Sequence, residues 1–143
     1  MGKPKVSYGN EFFKKSANDF SKRIKFNDYE FGRKTTEMLA EVIDDNFEVL
    51  EIGTGPGTLT IPLAKKVKKI TGIEFAERNI TNLKLNLKES NLSNVTNVAN
   101  VEIVNKKWEK VKDDKIKEKF DLVVCSHFLW QIKNIDELLR RME

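Results

Sequence analysis

Val49-Leu50-Glu51-Ile52-Gly53-Thr54-Gly55-Pro56-Gly57-Thr58-Leu59-Thr60 is the stretch on which the fold turns. An apolar run from Phe47 to Ile52, interrupted by acids, meets three glycines in five positions, after which a helical pattern begins. This reads as strand, tight turn, helix. Glycine suits such a turn because it takes positive φ and lets a ligand approach the backbone without a Cβ in the way. The N–H groups of the turn and of the first helical residues have no partner within the helix, and they point toward whatever sits there.

One short loop further on, Lys69-Ile-Thr-Gly-Ile-Glu74 reads as a second strand ending in a carboxylate. A carboxylate at that point accepts hydrogen bonds from ribose hydroxyls. A glycine turn plus an acid at the neighbouring strand tip is the footprint of a nucleoside-containing cofactor on an open α/β sheet.

The glycine spacing separates two readings. The dinucleotide fingerprint is Gly-x-Gly-x-x-Gly, but here the glycines are Gly53, Gly55 and Gly57, and Thr58 stands at the late glycine position. Glu51-Ile-Gly-Thr-Gly-Pro-Gly57 instead resembles the first motif of class I S-adenosylmethionine-dependent methyltransferases. The resemblance implies that Glu51 serves the amino group of S-adenosylmethionine, and that the glycines pass beneath the cofactor. It also implies that Glu74 holds the ribose and that Phe75 lies against the adenine, with ordinary core packing the rival role for Phe75. A nicotinamide-binding module is disfavoured by Thr58 and by Pro56 within the turn.

Further along, Asn105-Lys-Lys-Trp-Glu-Lys110 stands where many family members present an Asp to the adenine amino group. The matching position here is Lys107, which cannot accept a hydrogen bond. Archaeal members are similar in carrying Trp-Glu at this point, so Trp108 is expected either to stack on the adenine or to serve as plain core. The segment Cys125-Ser-His-Phe-Leu-Trp130 lacks the Asn/Asp-Pro-Pro-aromatic motif of enzymes that methylate the amino groups of adenine or glutamine. Ser126 and His127 fall near the expected position of the transferred methyl. His127, the sole histidine, is a candidate general base, or a strand-end residue bonded to backbone. Cys125 reads as a small buried apolar residue. No cluster resembles a metal site.

The pattern around these motifs predicts one domain over the 143 residues, with an N-terminal helical cap over 1–45 and an α/β core over 46–143. After a lead-in from Met1 to Gly9, Phe13, Ala17, Phe20 and Ile24 give a helix over 11–24. A second helix is expected from Phe31 to Ile43, with Met38, Leu39, Val42 and Ile43 facing inward. These two helices cover the sheet, or the segment Tyr8 to Phe13 folds over the cofactor as a lid. A helix over 58–67 carries Pro62 near its first turn, where the missing N–H costs little. Ala76, Ile80, Leu83 and Leu87 form the stripe of an amphipathic helix ending at Asn91, and Asn91 to Asn100 reads as loop. Strands follow at Val101–Val104 and Phe120–Cys125, the latter apolar enough for burial on both faces. Asn134 and Glu137 resemble a capping box opening a helix through Leu138, Leu139 and Met142.

Alternating strands and helices imply a parallel sheet with right-handed crossovers. The resemblance implies a Rossmann-like doubly wound sheet of order 3-2-1-4, with the cofactor at the switch point. It covers about Phe13 to Met142 and lacks the fifth strand and the final antiparallel pair of that fold. The edge of strand four is therefore expected to be covered by a second copy of the chain, another subunit or a C-terminal portion. The lack also leaves a non-catalytic cofactor-binding or scaffolding subunit as the alternative to methyl transfer onto an unidentified acceptor.

Composition bounds the remainder. No apolar run approaches the roughly 20 residues needed to cross a bilayer, and the N-terminus lacks a signal-peptide core. A single cysteine suits a reducing, cytoplasmic setting. The net charge of +4 is carried mainly by lysines. Planar bidentate recognition of bases and phosphates favours arginine, so the lysine runs read as solvated surface ahead of a nucleic-acid patch.

Overall fold

The computed structural model describes residues 10–92, 100–117, 119–126 and 132–143. Four parallel strands, β1 (Glu48–Ile52), β2 (Lys69–Glu74), β3 (Val101–Asn105) and β4 (Leu122–Cys125), form one sheet of order β3-β2-β1-β4. β1 sits centrally, with Glu51 opposite Gly72 on β2 and opposite Val124 on β4. The order and direction agree with the sequence reading. The reversal of strand order at β1 leaves a crevice at the C-terminal ends of the strands, where ligands of such sheets bind.

The helices are α1 (Asn10–Phe26), α2 (Glu30–Met38), α3 (Thr60–Ala64), α4 (Glu77–Leu92) and α5 (Ile135–Met142). Strand side chains alternate between faces, so β1 feeds two cores. Leu50 and Ile52 pack with Ile73, Trp108, Val111, Ile116 and Leu138 on one face. On the other, Val49 packs with Leu59, Leu63, Val67 and Ile70.

Several expectations are corrected. The second helix stops at Met38 and continues as turns, and Met38 (83% exposed) and Val42 (59%) face outward. Its buried residues are Gly32 and Thr36. An ideal Cβ on Gly32 would lie 1.8 Å from the Thr58 carbonyl oxygen and 2.9 Å from Pro62 Cγ. Contact through a bare Cα selects this face of the helix and turns the apolar stripe away from it.

α3 spans five residues rather than ten: at its start Pro62 has no N–H to bond the Thr58 carbonyl, and at its end the chain tightens, the Lys66 N–H bonding the Leu63 carbonyl at 2.9 Å. On α1, Ile24 is buried but Phe20 is 38% exposed, and Ser21 takes the inward position. The β4 residues reach both cores yet all stay half-buried, since among the described residues β4 pairs only with β1. α5 matches its expected start: Asn134 Oδ1 accepts from the Glu137 amide at 3.0 Å. The Tyr8–Gly9 part of the lid, residues 93–99 of the expected loop and His127 lie outside the described residues, as does the Phe13 side chain.

Candidate cofactor site

All three glycines of the bend after β1 have positive φ: 76° at Gly53, 53° at Gly55 and 103° at Gly57. Their surroundings differ. A Cβ on Gly57 would lie 2.8 Å from Leu83 Cδ1, so this glycine seats the turn on α4. A Cβ on Gly55 would meet nothing within 4 Å. The backbone at Gly55 therefore faces open space, as a ligand-facing turn requires. Thr54, between Gly53 and Gly55, is buried, its methyl against Gly72, where a Cβ would be 2.4 Å away.

Val49 and Glu51 share one face of β1, and Ile70, Gly72 and Glu74 share one face of β2, so toward the C-terminal tips this face changes from apolar to acidic. Glu51 is 1% exposed, and its Oε2 accepts from Thr60 Oγ1 at 2.6 Å. Burial pushes its carboxyl up to about 8; the Thr60 hydroxyl opposes this, and the negative charge of Glu74 adds to it. Such a carboxyl stays protonated near neutrality until a cation arrives. Burial also raises the Cys125 thiol, to about 11, and the nearby Glu51 carboxyl adds to the rise.

Glu74 is buried too. Its Oε2 accepts from the Gly55 amide at 2.9 Å, while Oε1 accepts from the Phe75 and Ala76 amides, both at 3.0 Å. The carboxylate thus ties the tip of β2 to the bend after β1. Oε2 carries a single one of these bonds, which leaves it an acceptor direction.

Phe75 is 41% exposed, and the Lys107 ammonium lies 5.6 Å from its ring centroid. Both line a groove of about 400 Å³ with Trp108, Lys110, Lys133 and Arg141, at the C-terminal end of the sheet. Trp108 is 3% exposed and belongs to the core. Arg141 stacks on it at 4.3 Å from the ring centroid, so the stacking surface expected for adenine is filled from within the chain. Trp108 thus packs in the core and also lines the groove. Ser126 follows β4 and is half-buried. A hollow of about 480 Å³ between α2 and α3, reaching Lys65 and Lys66, holds none of the expected site residues. Among the described residues no group of three His, Cys, Asp or Glu side chains is placed to hold a metal ion. No described helix is long and apolar enough to cross a membrane.

Sequence reasoning missed Thr60, the partner of Glu51, and Arg141, the cover of Trp108. It also missed Asn86, whose Nδ2 donates to the Pro56 carbonyl inside the bend at 2.9 Å. Asn82 and Asn86, set at helical spacing beside the apolar stripe of α4, were the available signal for the last.

A central glycine bend flanked by buried acids on a 3-2-1-4 sheet defines a Rossmann-like nucleoside-cofactor domain. A family model described as a methyltransferase domain matches residues 23–143. The chain belongs to that family, the S-adenosylmethionine-dependent methyltransferases, whose cofactor is S-adenosylmethionine. It is 39% identical over 95 residues to a Methanosphaera stadtmanae protein assigned as ribosomal RNA small subunit methyltransferase A, covering 64% of this chain and 30% of that one. With an uncharacterized RNA methyltransferase of Bacillus cereus it shares 30% identity over 120 residues, covering 76% of this chain and 25% of the other. The chain thus spans about a third or less of these relatives. A Methanococcus maripaludis structure, described as a candidate S-adenosyl-L-methionine-dependent methyltransferase, shares the fold. Its TM-score is 0.72 at 20% identity, over 99% of this chain and 60% of that one.

Proposed function

We propose that the chain binds S-adenosylmethionine between the Gly53–Gly57 bend and the tips of β1 and β2, and that its acceptor is RNA. One observation carries the cofactor placement. Two buried acids, Glu51 and Glu74, flank a bend whose middle glycine opens onto free space.

The residues fit the group. Glu51 is a carboxyl held out of water with a hydroxyl beside it and no salt-bridge partner among the described residues. An ammonium placed there meets a carboxylate in a site of low dielectric, where the attraction is strong. Glu74 keeps an acceptor direction on Oε2 for a ribose hydroxyl, and Phe75 offers an exposed apolar face beside Lys107 for a base. Bound there, the cofactor supplies a methyl on a sulfonium, a leaving group that needs no general acid. The chain's part is then to hold two reactants in line, which can supply a large share of the barrier reduction. Ser126, at the end of β4, is the described residue nearest in sequence to the expected acceptor side.

The relatives support the RNA acceptor, since the two curated ones are named as RNA methyltransferases. So does the groove beside the cofactor end. Lys107, Lys110 and Lys133 line it and are exposed, with Glu109 and Glu137 among them. Two lysines at the opposite end are paired instead: Lys68 with Glu48 at 3.1 Å and Lys69 with Glu102 at 2.6 Å.

Methyl-labelled S-adenosylmethionine, incubated with the chain and cell extract, tests both halves. Label recovered in material that ribonuclease digests is the expected result. Label in protease-sensitive material instead would remove the RNA acceptor. Absence of binding to S-adenosylhomocysteine by calorimetry would remove the cofactor placement.

A further inference from the structure

A line of buried and half-buried polar groups crosses the seam between α1 and α4 and ends at the glycine bend. Asn82 Nδ2 donates to Asn18 Oδ1 at 3.1 Å. One turn further along α4, Asn86 Nδ2 donates to Ser21 Oγ at 3.0 Å and to the Pro56 carbonyl at 2.9 Å. Asn86 is 0% exposed, Ser21 is buried beside it, and Asn86 Oδ1 has no partner among the described residues. A leucine of similar size would fill this place and leave no orphaned amide oxygen, but would strip the Pro56 carbonyl and the Ser21 hydroxyl of their donor. The amide is therefore explained by what it bonds rather than by packing.

The bend does account for it. Pro56 stands between Gly55 and Gly57, and its carbonyl shares one rigid peptide plane with the Gly57 N–H. That plane turns about ψ of Pro56 and φ of Gly57, and Gly57 has no Cβ to resist the rotation. Holding the Pro56 oxygen toward α4 aims the Gly57 N–H the opposite way, back into the bend, where it meets the Thr54 carbonyl at 3.2 Å. We infer that Asn86 positions the cofactor bend, and that through Ser21 the N-terminal helix α1 becomes part of its support. This rests on the cofactor placement proposed above. Asn86 touches neither cofactor nor acceptor in this arrangement; it acts through the Pro56–Gly57 peptide.

The test uses the full chain, calorimetry with S-adenosylhomocysteine and residue-resolved amide exchange without ligand. Asn86→Leu keeps the volume and removes both bonds; affinity is expected to fall about tenfold, the scale of a buried hydrogen bond lost. Ser21→Ala alters no group in contact with the bend and is expected to weaken affinity by about threefold. In both, Gly57 amide exchange should accelerate while Leu50 and Ile70 in the sheet keep their rates. A merely structural role would speed bend and sheet together, and that result overturns the inference. Unchanged affinity in both variants overturns it as well. Should Asn86→Leu fail to fold, Ser21→Ala decides alone. Glu74→Ala separates the two levels. If it weakens binding while the Asn86 and Ser21 variants do not, only this inference falls. If it too binds like the parent chain, the cofactor placement falls and the inference with it.

Discussion

The Glu74 carboxylate accepts the Gly55 amide at 2.9 Å, so the acid expected to hold a ribose also holds the bend. Its other oxygen caps the chain where it leaves β2 through the amides of Phe75 and Ala76. One side chain therefore carries both local shape and the binding group, and the two roles separate experimentally.

Glu74→Gln keeps the shape and one acceptor oxygen but loses the charge that strengthens all three bonds. S-adenosylhomocysteine affinity is expected to fall about tenfold by calorimetry, with an unfolding cost of about 1 kcal/mol. Glu74→Ala leaves the Gly55 N–H without its partner and should cost about 2 kcal/mol in urea unfolding. An affinity equal to the parent in both variants would remove the ribose assignment.

The buried Glu51 carboxyl makes stability depend on pH. Its value rises from 4.5 unfolded to about 8 folded, so between those limits the folded chain holds a proton that the unfolded chain releases. Stability contributed by this group then falls as pH rises from about 4.5 to about 8, and is flat above. Glu51→Gln, which can still accept from Thr60, should abolish that slope. The difference in unfolding midpoint between variant and parent is expected to grow in the variant's favour from pH 5 to pH 8. A constant difference would show that Glu51 is ionised throughout.

Arg141 fastens α5 to the segment after β3. It stacks on Trp108, pairs with Asp113 at 2.8 Å and bonds the carbonyls of Trp108 and Val111. Arg141→Lys keeps the charge but cannot reproduce a planar stack with several forked donors. Both Arg141→Lys and Arg141→Met should lose about 2 kcal/mol of stability, measured by urea unfolding. Full stability in the lysine variant would show that charge alone suffices.

The strands were legible because each is a short apolar run closed by a turn or an acid; alternation with helices implied a parallel sheet, and the family resemblance supplied its order. The glycine bend was legible from spacing alone. The outward turn of Met38 and Val42 was not, because the face of α2 is chosen by Gly32 meeting α3, a long-range contact that leaves no period in the sequence. Trp108 was ambiguous for a similar reason: whether an aromatic is buried or offered to a ligand depended on Arg141, far along the chain. The pairing of Glu51 with Thr60 links a strand to the following helix, and side-chain partners of this kind follow from the folded backbone rather than from residue type.

Pro62 cannot return an N–H to the Thr58 oxygen, and Gly32 brings a bare methylene against that same oxygen. The gap left by one residue type is thereby occupied by the smallness of another. Among descendants of this sequence the two positions should drift as a pair, and a survey of variants would find bulk at 32 accompanied by a rebuilt first turn near 62.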